Sequence, residues 1–241
     1  MSALFFAVFG VGNWRIMAVI WASVPFLNAF FFLRVPIYKL TEQGGSIPVK
    51  KLLSMKPFWI FVFIMVCAGA SELSMSQWAS AFTESALGVT KIAGDMLGPC
   101  LFAVMMGISR VVYSKFSEKI NLNNFMLYSG CLGAVSYLMA ALIPFPSLAL
   151  AGCALCGFSS GILWPGTFSL ASAKFPLGGT AMFAYLALAG DLGAAAGPMT
   201  VGFVAGAAGD DIKAGLLVSA TFPVLLVIGL LLYSKSSKKM L

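Results

Sequence analysis

The sequence has no histidine and very few charged residues. Histidine is the commonest metal ligand and general base in proteins, so its absence argues against a metal site and against a histidine-dependent nucleophile. Only 10% of the 241 residues are charged and 60% are hydrophobic, and the mean hydropathy is +0.97. This composition excludes an ordinary soluble domain and predicts a protein of the lipid bilayer. No cofactor and no metal are expected.

The charge that is present is mostly basic. The chain has 15 Lys and Arg against 8 Asp and Glu, a net charge of +7. In a soluble protein such an excess would suggest nucleic-acid binding. Here the basic residues lie between long apolar runs, so we expect the bilayer as the partner and no nucleic acid.

Seven apolar runs are long enough to cross a bilayer, because about 20 residues of helix span roughly 30 Å of hydrocarbon. The predicted spans are residues 14–34, 58–82, 94–114, 124–143, 147–173, 179–207 and 214–233. The predicted fold class is therefore an all-α polytopic membrane protein. The longest connection, residues 36–56, contains Gly44, Gly45, Pro48 and several lysines, which is typical of a flexible polar linker.

The basic residues of the loops predict the orientation, since Lys and Arg near span ends remain on the cytoplasmic side. Alternate loops separate them into twelve on one side and three on the other. The three are Arg15, Lys91 and Lys213, and the twelve are Arg34, Lys39, Lys50, Lys51, Lys56, Arg110, Lys115, Lys119, Lys174, Lys235, Lys238 and Lys239. We expect an outside N-terminus and a cytoplasmic C-terminus, in the plasma membrane.

Small residues and prolines mark the spans as closely packed and bent. Glycines four residues apart let helices approach each other in lipid, and span prolines each remove a backbone hydrogen bond and favour a kink or a break. The glycine pairs are Gly94 and Gly98, Gly157 and Gly161, Gly193 and Gly197, and Gly202 and Gly206. The span prolines are Pro25, Pro99, Pro165, Pro198 and Pro223.

Two acidic residues lie deep inside predicted spans, where an ionisable group costs about 2.5 kcal/mol or more. Glu72 and Asp191 are therefore expected to be buried and to take up and release protons, or else to be structural hydrogen-bonding groups. The face of Glu72 continues with hydroxyl side chains, and neighbouring faces carry an amide and an indole. These residues are Ser76, Ser80, Thr83, Gln77 and Trp78.

The fifth span carries an aromatic residue with hydroxyls on roughly the same helix face. Trp164, Ser160 and Thr167 share that face. An indole beside hydroxyls can stack on a sugar-like ring in a polar cavity. A tryptophan that only packs between helices is the alternative.

Several motifs resemble those of the major facilitator superfamily, whose transporters have twelve helices in two six-helix halves. Gly107-Ile108-Ser109-Arg110 with the following Tyr113, Lys115, Phe116, Glu118 and Lys119 resembles the superfamily's loop motif. Gly193-x-x-x-Gly197-Pro198 is similar to its packing motif. Gly69-Ala70-Ser71-Glu72 with Trp78, and Trp164-Pro165-Gly166-Thr167-Phe168-Ser169, most resemble the fucose-permease-type sugar transporters. The resemblance implies a cytoplasmic gate of Arg110, Lys115, Glu118 and Lys119.

The resemblance also implies a domain organisation and a function. Residues 1–35 would be the remnant of the N-terminal half with its sixth helix, 36–56 the central cytoplasmic linker, and 57–241 the C-terminal six-helix bundle. The chain would then require a missing N-terminal helix bundle. The implied activity is secondary transport of a small polar or sugar-like solute by alternating access, coupled to protons.

Two other functions have the same topology or related motifs. A seven-helix receptor or sensor would also have an outside N-terminus. A retinal-binding version needs a lysine in the last span, but residues 214–233 contain none and Lys213 lies at the edge. An intramembrane aspartyl protease is suggested by Asp95 and Asp191 after glycines, yet Ile92 and Leu188 replace the glycine that its motif requires. No nucleotide-binding loop is present, which argues against ATP-driven transport. The chain is not expected to be an enzyme.

Overall fold

The computed structural model describes residues 2–36 and 47–238 and divides the chain between Gly45 and Ser46 into two units. The first unit contains α1 (Ser2–Phe9), a 3-10 turn (Val11–Asn13) and α2 (Trp14–Phe32). Gly10 separates α1 from the turn with φ of +79°, a conformation that glycine adopts without strain. Nearly all described side chains of α2 are exposed, and Met17 is buried.

The second unit contains nine helices within its described residues. They are α3 (Val49–Ser54), α4 (Lys56–Leu87), α5 (Lys91–Phe116), α6 (Leu122–Leu142), α7 (Pro146–Ser160), α8 (Leu163–Lys174), α9 (Gly179–Ala207), α10 (Ile212–Ser219) and α11 (Thr221–Lys238). Local chemistry sets several ends. Pro146 begins α7 where no N–H is needed, the Asn121 side chain caps α6 by accepting from the Asn124 N–H at 3.1 Å, and left-handed Gly88 ends α4.

The prediction of seven spans is confirmed among the described residues. Seven helical stretches are long and apolar enough to cross a membrane: Trp14–Phe32, Lys56–Ser85, Lys91–Phe116, Leu122–Leu142, Pro146–Lys174, Gly179–Ala207 and Ile212–Lys235. The part of the chain that the structure describes contains no strand. The fold class is therefore an all-α polytopic membrane protein.

Two of these spans are interrupted just before a proline. The fifth span breaks at Gly161, four residues before Pro165, and the seventh breaks at Ala220, three residues before Pro223. A proline has no N–H to donate to the carbonyl four residues earlier, and its ring crowds that carbonyl. The expectation of a kink or a break is confirmed as a break at these two positions, whereas the helices continue through Pro25, Pro99 and Pro198.

The connection predicted as a flexible linker is partly helical. Residues 37–46, which include Lys39, Gly44 and Gly45, lie outside the described residues, and so does Lys239. Beyond them, the Ile47 N–H donates to the Leu177 carbonyl at 2.8 Å, and α3 follows with Leu52 fully buried. The prediction of flexibility is wrong for this second part, because Leu52 provides an apolar anchor on the bundle.

Helix α4 is the central helix of the second unit and packs against α5, α7, α9 and α11. Its contact with α9 depends on glycine, since a Cβ on Gly193 would be 2.0 Å from the Val66 carbonyl oxygen and one on Gly197 2.5 Å from Ser74 Oγ. The backbones of the two helices therefore touch, which is the packing that small residues allow in lipid.

The predicted glycine pairs on α5 and α7 have the same role. A Cβ on Gly98 would be 2.3 Å from the Ala79 carbonyl oxygen of α4, and one on Gly157 would be 2.1 Å from the Phe102 carbonyl oxygen of α5. The prediction of close helix packing is wrong for Gly206, the second glycine of the pair Gly202 and Gly206 on α9. Gly206 has nothing within 4 Å of an added Cβ, because it lies at the end of α9, beyond the contact with α4.

Candidate functional site

The hydroxyl stripe of α4 faces α5. Ser80 donates a hydrogen bond to the Asp95 carboxylate of α5, and Thr83 lies against Gly98 of the same helix. Ser76 and Glu72 continue the stripe toward the middle of α4 and are half-buried. Ser80 and Thr83 therefore form a polar part of the interface between α4 and α5.

Glu72 lies in the field of a cation from α5. Burial between the helices is the larger influence on the Glu72 carboxyl group, and Arg110 of α5 is near enough for a weaker electrostatic interaction with it. No direct ion pair joins Glu72 to Arg110. Among the described residues the ion pair within 4.0 Å is that of Lys91 with Asp95, at 3.9 Å.

Arg110 is bound to the break in the fifth span. Its Nε donates a hydrogen bond of 3.0 Å to the Gly161 carbonyl oxygen, at the residue where α7 ends. The motif resemblance assigns Arg110 to a cytoplasmic gate. In the structure its Nε contacts Gly161 inside the spans, and Glu72 lies beyond ion-pair distance.

Asp191 is exposed, so the expected burial of this carboxyl group is wrong. Its neighbours explain the orientation of this part of α9. Gly190 faces the Trp164 ring, since an added Cβ would be 2.4 Å from Trp164 Cη2, and Gly193 faces Val66 of α4. Helix periodicity then directs Asp191 to the open side of α9.

The fifth-span aromatic residue lies between two helices. The Trp164 ring packs on Gly190 of α9, and its Nε1 is buried without a hydrogen-bond partner among the described residues. Ser160 is buried and Thr167 donates to the Leu163 carbonyl of its own helix at 2.6 Å. Trp164 therefore contacts the residue that precedes Asp191 in α9. Asp191 itself lies on a neighbouring face of that helix.

The two remaining pathway residues of α4 differ in their surroundings. Trp78 donates from Nε1 to the Pro198 carbonyl oxygen of α9 at 3.1 Å. Gln77 is exposed. One of the two therefore joins α4 to α9, and the other presents an amide on the open surface of the bundle.

The other residues of the predicted gate lie around the end of α5. Lys115, Glu118 and Lys119 are exposed, and no ion pair among the described residues involves them. The Lys115 ammonium lies 5.7 Å from the centre of the Phe116 ring, within cation–π range. The structure does not bring these three residues together with Arg110.

Sequence reasoning missed Asp95 as a member of the polar interface. It noted Asp95 only within a protease-like motif, whereas the carboxylate accepts from Ser80 and pairs with Lys91 four residues earlier. The spacing of Lys91 and Asp95 on one helix face was a usable signal. The link to Ser80 was not readable, because it depends on which helices become neighbours.

Two further features complete the description of the second unit. A groove of about 410 Å³ is lined by Ile228, Leu231, Leu232, Ser234 and Lys235 of α11 and includes none of the predicted pathway residues. Within residues 2–36 and 47–238, no cluster of three or more Cys, Asp or Glu side chains could hold a metal ion.

Comparison with known families decides the relationship. The family model described as Major Facilitator Superfamily matches residues 1–198, most of the chain. The chain belongs to the Major Facilitator Superfamily. This superfamily consists of transporters, so this member is an integral membrane protein whose partners are the lipid bilayer and a small solute. No curated protein matches the chain.

Proposed function

We propose that this superfamily member is the C-terminal part of a proton-coupled secondary transporter for a small polar or sugar-like solute, of the fucose-permease type. Its C-terminal six-helix bundle, residues 57–241, would work by alternating access with an N-terminal bundle that this chain does not contain. One observation carries the proposal. Glu72, a carboxyl group within a span of a superfamily transporter, is half-buried and forms no ion pair with any of the described residues.

Glu72 is the proposed proton carrier because it is half-buried inside a span and is not paired with a cation of the described residues. A carboxylate that is locked in an ion pair resists protonation, and a carboxyl group that faces lipid cannot ionise at moderate cost. Glu72 lies between these limits, within the field of Arg110. Ser76, one turn along α4, supplies a hydroxyl for a solute or for water.

The exposed polar side chains support a pathway on the open side of the bundle. Gln77 of α4 and Asp191 of α9 are both exposed although they lie inside spans. Polar groups in a span face a partner or a water-filled cavity rather than lipid. In this proposal they contact the solute together with Trp164, and Pro165 and Pro198 allow the helices to bend.

The remaining parts of the proposal concern gating and orientation. Lys115, Glu118 and Lys119 would form the cytoplasmic gate with the end of another helix, which fits their exposure. The loop charges favour an outside N-terminus and a cytoplasmic C-terminus in the plasma membrane. The seven-helix receptor alternative finds no support in superfamily membership.

The experiment begins with the native protein, captured from source membranes with an antibody to the Ser234–Leu241 tail. The proposal expects a product well above 25.4 kDa, or a co-purifying polypeptide that supplies further spans. The captured protein is then reconstituted into liposomes that contain a pH-sensitive dye, and sugars and small polar solutes are added in turn. Solute-dependent proton movement supports the proposal. A 25.4 kDa chain that moves no proton with any solute contradicts it.

A further inference from the structure

Arg110 extends toward the middle of the membrane span. It lies six residues before Phe116, the end of α5, about 9 Å into the helix. Its hydrogen-bond partner Gly161 packs against Met106 and Ser109 of α5, which lie four residues and one residue before Arg110, toward the middle of the span. Long cations near span ends usually extend toward the interface. This one extends the opposite way, so an interaction inside the span holds it there.

The acceptor of Arg110 is a carbonyl that its own helix leaves free. The Gly161 oxygen would accept from the N–H of residue 165 in a continuous helix, but residue 165 is proline and has none. Arg110 Nε occupies that position. Glycine at 161 also lets α7 approach α5, because a Cβ there would be 2.7 Å from the Met106 carbonyl oxygen and 2.9 Å from Ser109 Cβ.

Most of the donors of Arg110 are unused. A guanidinium has five N–H groups, and the Nε–H is the one with an acceptor among the described residues. The four N–H groups on the two Nη atoms remain, and the side chain is exposed. Beside it, the Ser109 hydroxyl is buried without a partner in the described part of the chain. A planar pair of Nη donors matches two oxygens of a carboxylate or a phosphate.

No described carboxylate takes this position. Glu72 and Arg110 are not in direct contact, since the ion pair that the described residues form within 4.0 Å is Lys91 with Asp95. The exposed guanidinium therefore has no anionic partner among the described residues.

We propose that Arg110 is the binding point for an anionic group, a carboxylate or a phosphate, on the transported solute. The inference rests on the proposed function and deepens it, because it assigns the solute to a chemical class. Nε is held by Gly161, and the Nη atoms bind two oxygens of the anion. Arg110 thereby moves from the cytoplasmic gate to the solute site.

Thermal unfolding of the tail-captured native protein in detergent tests this assignment without requiring transport. The probes are glucose, glucuronate and glucose 6-phosphate at equal ionic strength. We expect an anionic probe to raise the midpoint of unfolding while glucose does not, and the stronger of the two anions identifies carboxylate or phosphate as the group. Arg110→Gln should abolish the rise, and Arg110→Lys should weaken the apparent affinity about tenfold, since the bidentate contact is lost.

Lys50→Gln is the matched control, because it removes one exposed cation of α3 and should leave the rise unchanged. Pro165→Ala is the second variant. It restores an N–H for the Gly161 carbonyl, so it should weaken anion affinity while the charge of Arg110 is kept. This variant tests the inference even where Arg110→Gln fails to fold.

The outcomes separate the two proposals. The assignment of Arg110 is overturned if no anion raises the midpoint of unfolding of the wild type. It is also overturned if the midpoint rises as much in a folded Arg110→Gln or Pro165→Ala protein. Neutral sugars that drive proton movement would then still support the transporter. The converse result is that an anion raises the midpoint of unfolding in a way that depends on Arg110 while the protein moves no proton. That result upholds the anion site and overturns the proton-coupled function.

Discussion

The indole N–H of Trp78 donates a hydrogen bond of 3.1 Å to the carbonyl oxygen of Pro198, across 120 residues of sequence. The same indole covers Gly202, where an added Cβ would be 2.9 Å from Trp78 Cζ2. The bond fastens α4 to α9 beyond the stretch in which Gly193 and Gly197 bring the two backbones together. These two helices therefore move as one body in any transport cycle that keeps this bond.

Trp78→Phe should destabilise the bundle. The substitution keeps an aromatic ring but removes the donor, and loss of one such hydrogen bond costs about 1 kcal/mol. The free energy of unfolding in mixed detergent micelles, with increasing SDS, measures the effect. Trp59→Phe is the matched control, because the Trp59 N–H donates to the Leu53 carbonyl at 2.8 Å from an exposed position. A smaller loss is expected there, and equal losses would contradict a special role for the Trp78 bond.

Gly193→Ala should be strongly destabilising. The new Cβ would lie 2.0 Å from a backbone oxygen of α4, that of Val66, so the helices must separate at a cost of about 1–3 kcal/mol. Gly206→Ala on the same helix meets nothing within 4 Å and should stabilise the protein by about 0.5–1 kcal/mol, since alanine is the better helix former. SDS unfolding of the two variants should therefore give changes of opposite sign. A change of the same sign in both would exclude tight α4–α9 packing.

Glu72→Gln should abolish solute accumulation driven by a pH gradient. Glutamine keeps the shape of the side chain but cannot carry a proton between aqueous sides. Among the described residues, Arg110 from α5 and Cys156 from α7 are the charged or titratable groups that interact electrostatically with Glu72, and both remain in this variant. Membrane insertion and yield should not change. Glu84→Gln on the same helix is the control and should transport normally. Accumulation by the Glu72→Gln variant would show that Glu72 does not couple transport to protons.

Asp191→Asn separates a structural role from a pathway role. The side chain is exposed, so the free energy of unfolding should change by less than about 0.5 kcal/mol. Solute uptake should fall, because the carboxylate faces the open side of α9 where we place the pathway. Uptake at the wild-type rate would show that Asp191 is not part of the pathway. A large loss in the free energy of unfolding would show that its role is structural.

The spans and the close helix contacts were predictable because they depend on local sequence. Hydropathy averaged over some 20 residues identifies a span without knowledge of its neighbours. Glycine at 193 and 197 indicates a contact face in the same way, whichever helix occupies it. The lack of an N–H at Pro165 likewise predicts a free carbonyl at Gly161.

The site could not be assembled from the sequence because it depends on which helices become neighbours. Nothing in the sequence indicates that Arg110, rather than water, occupies the Gly161 carbonyl. The different exposure of Glu72 and Asp191 has the same origin. Both are single carboxyl groups inside long spans, and only the packing of α9 through Gly190 and Gly193 directs Asp191 outward.

The central claim is coupling of a solute to protons, and accumulation against a concentration gradient tests it most directly. Liposomes that contain the native protein are given a solute that moves protons in the dye assay, with an inward pH gradient or with the gradient collapsed by an ionophore. The account predicts that the internal solute concentration rises above the external one with the gradient and stops at equality without it. Accumulation to equality under both conditions would contradict proton coupling and leave a facilitator.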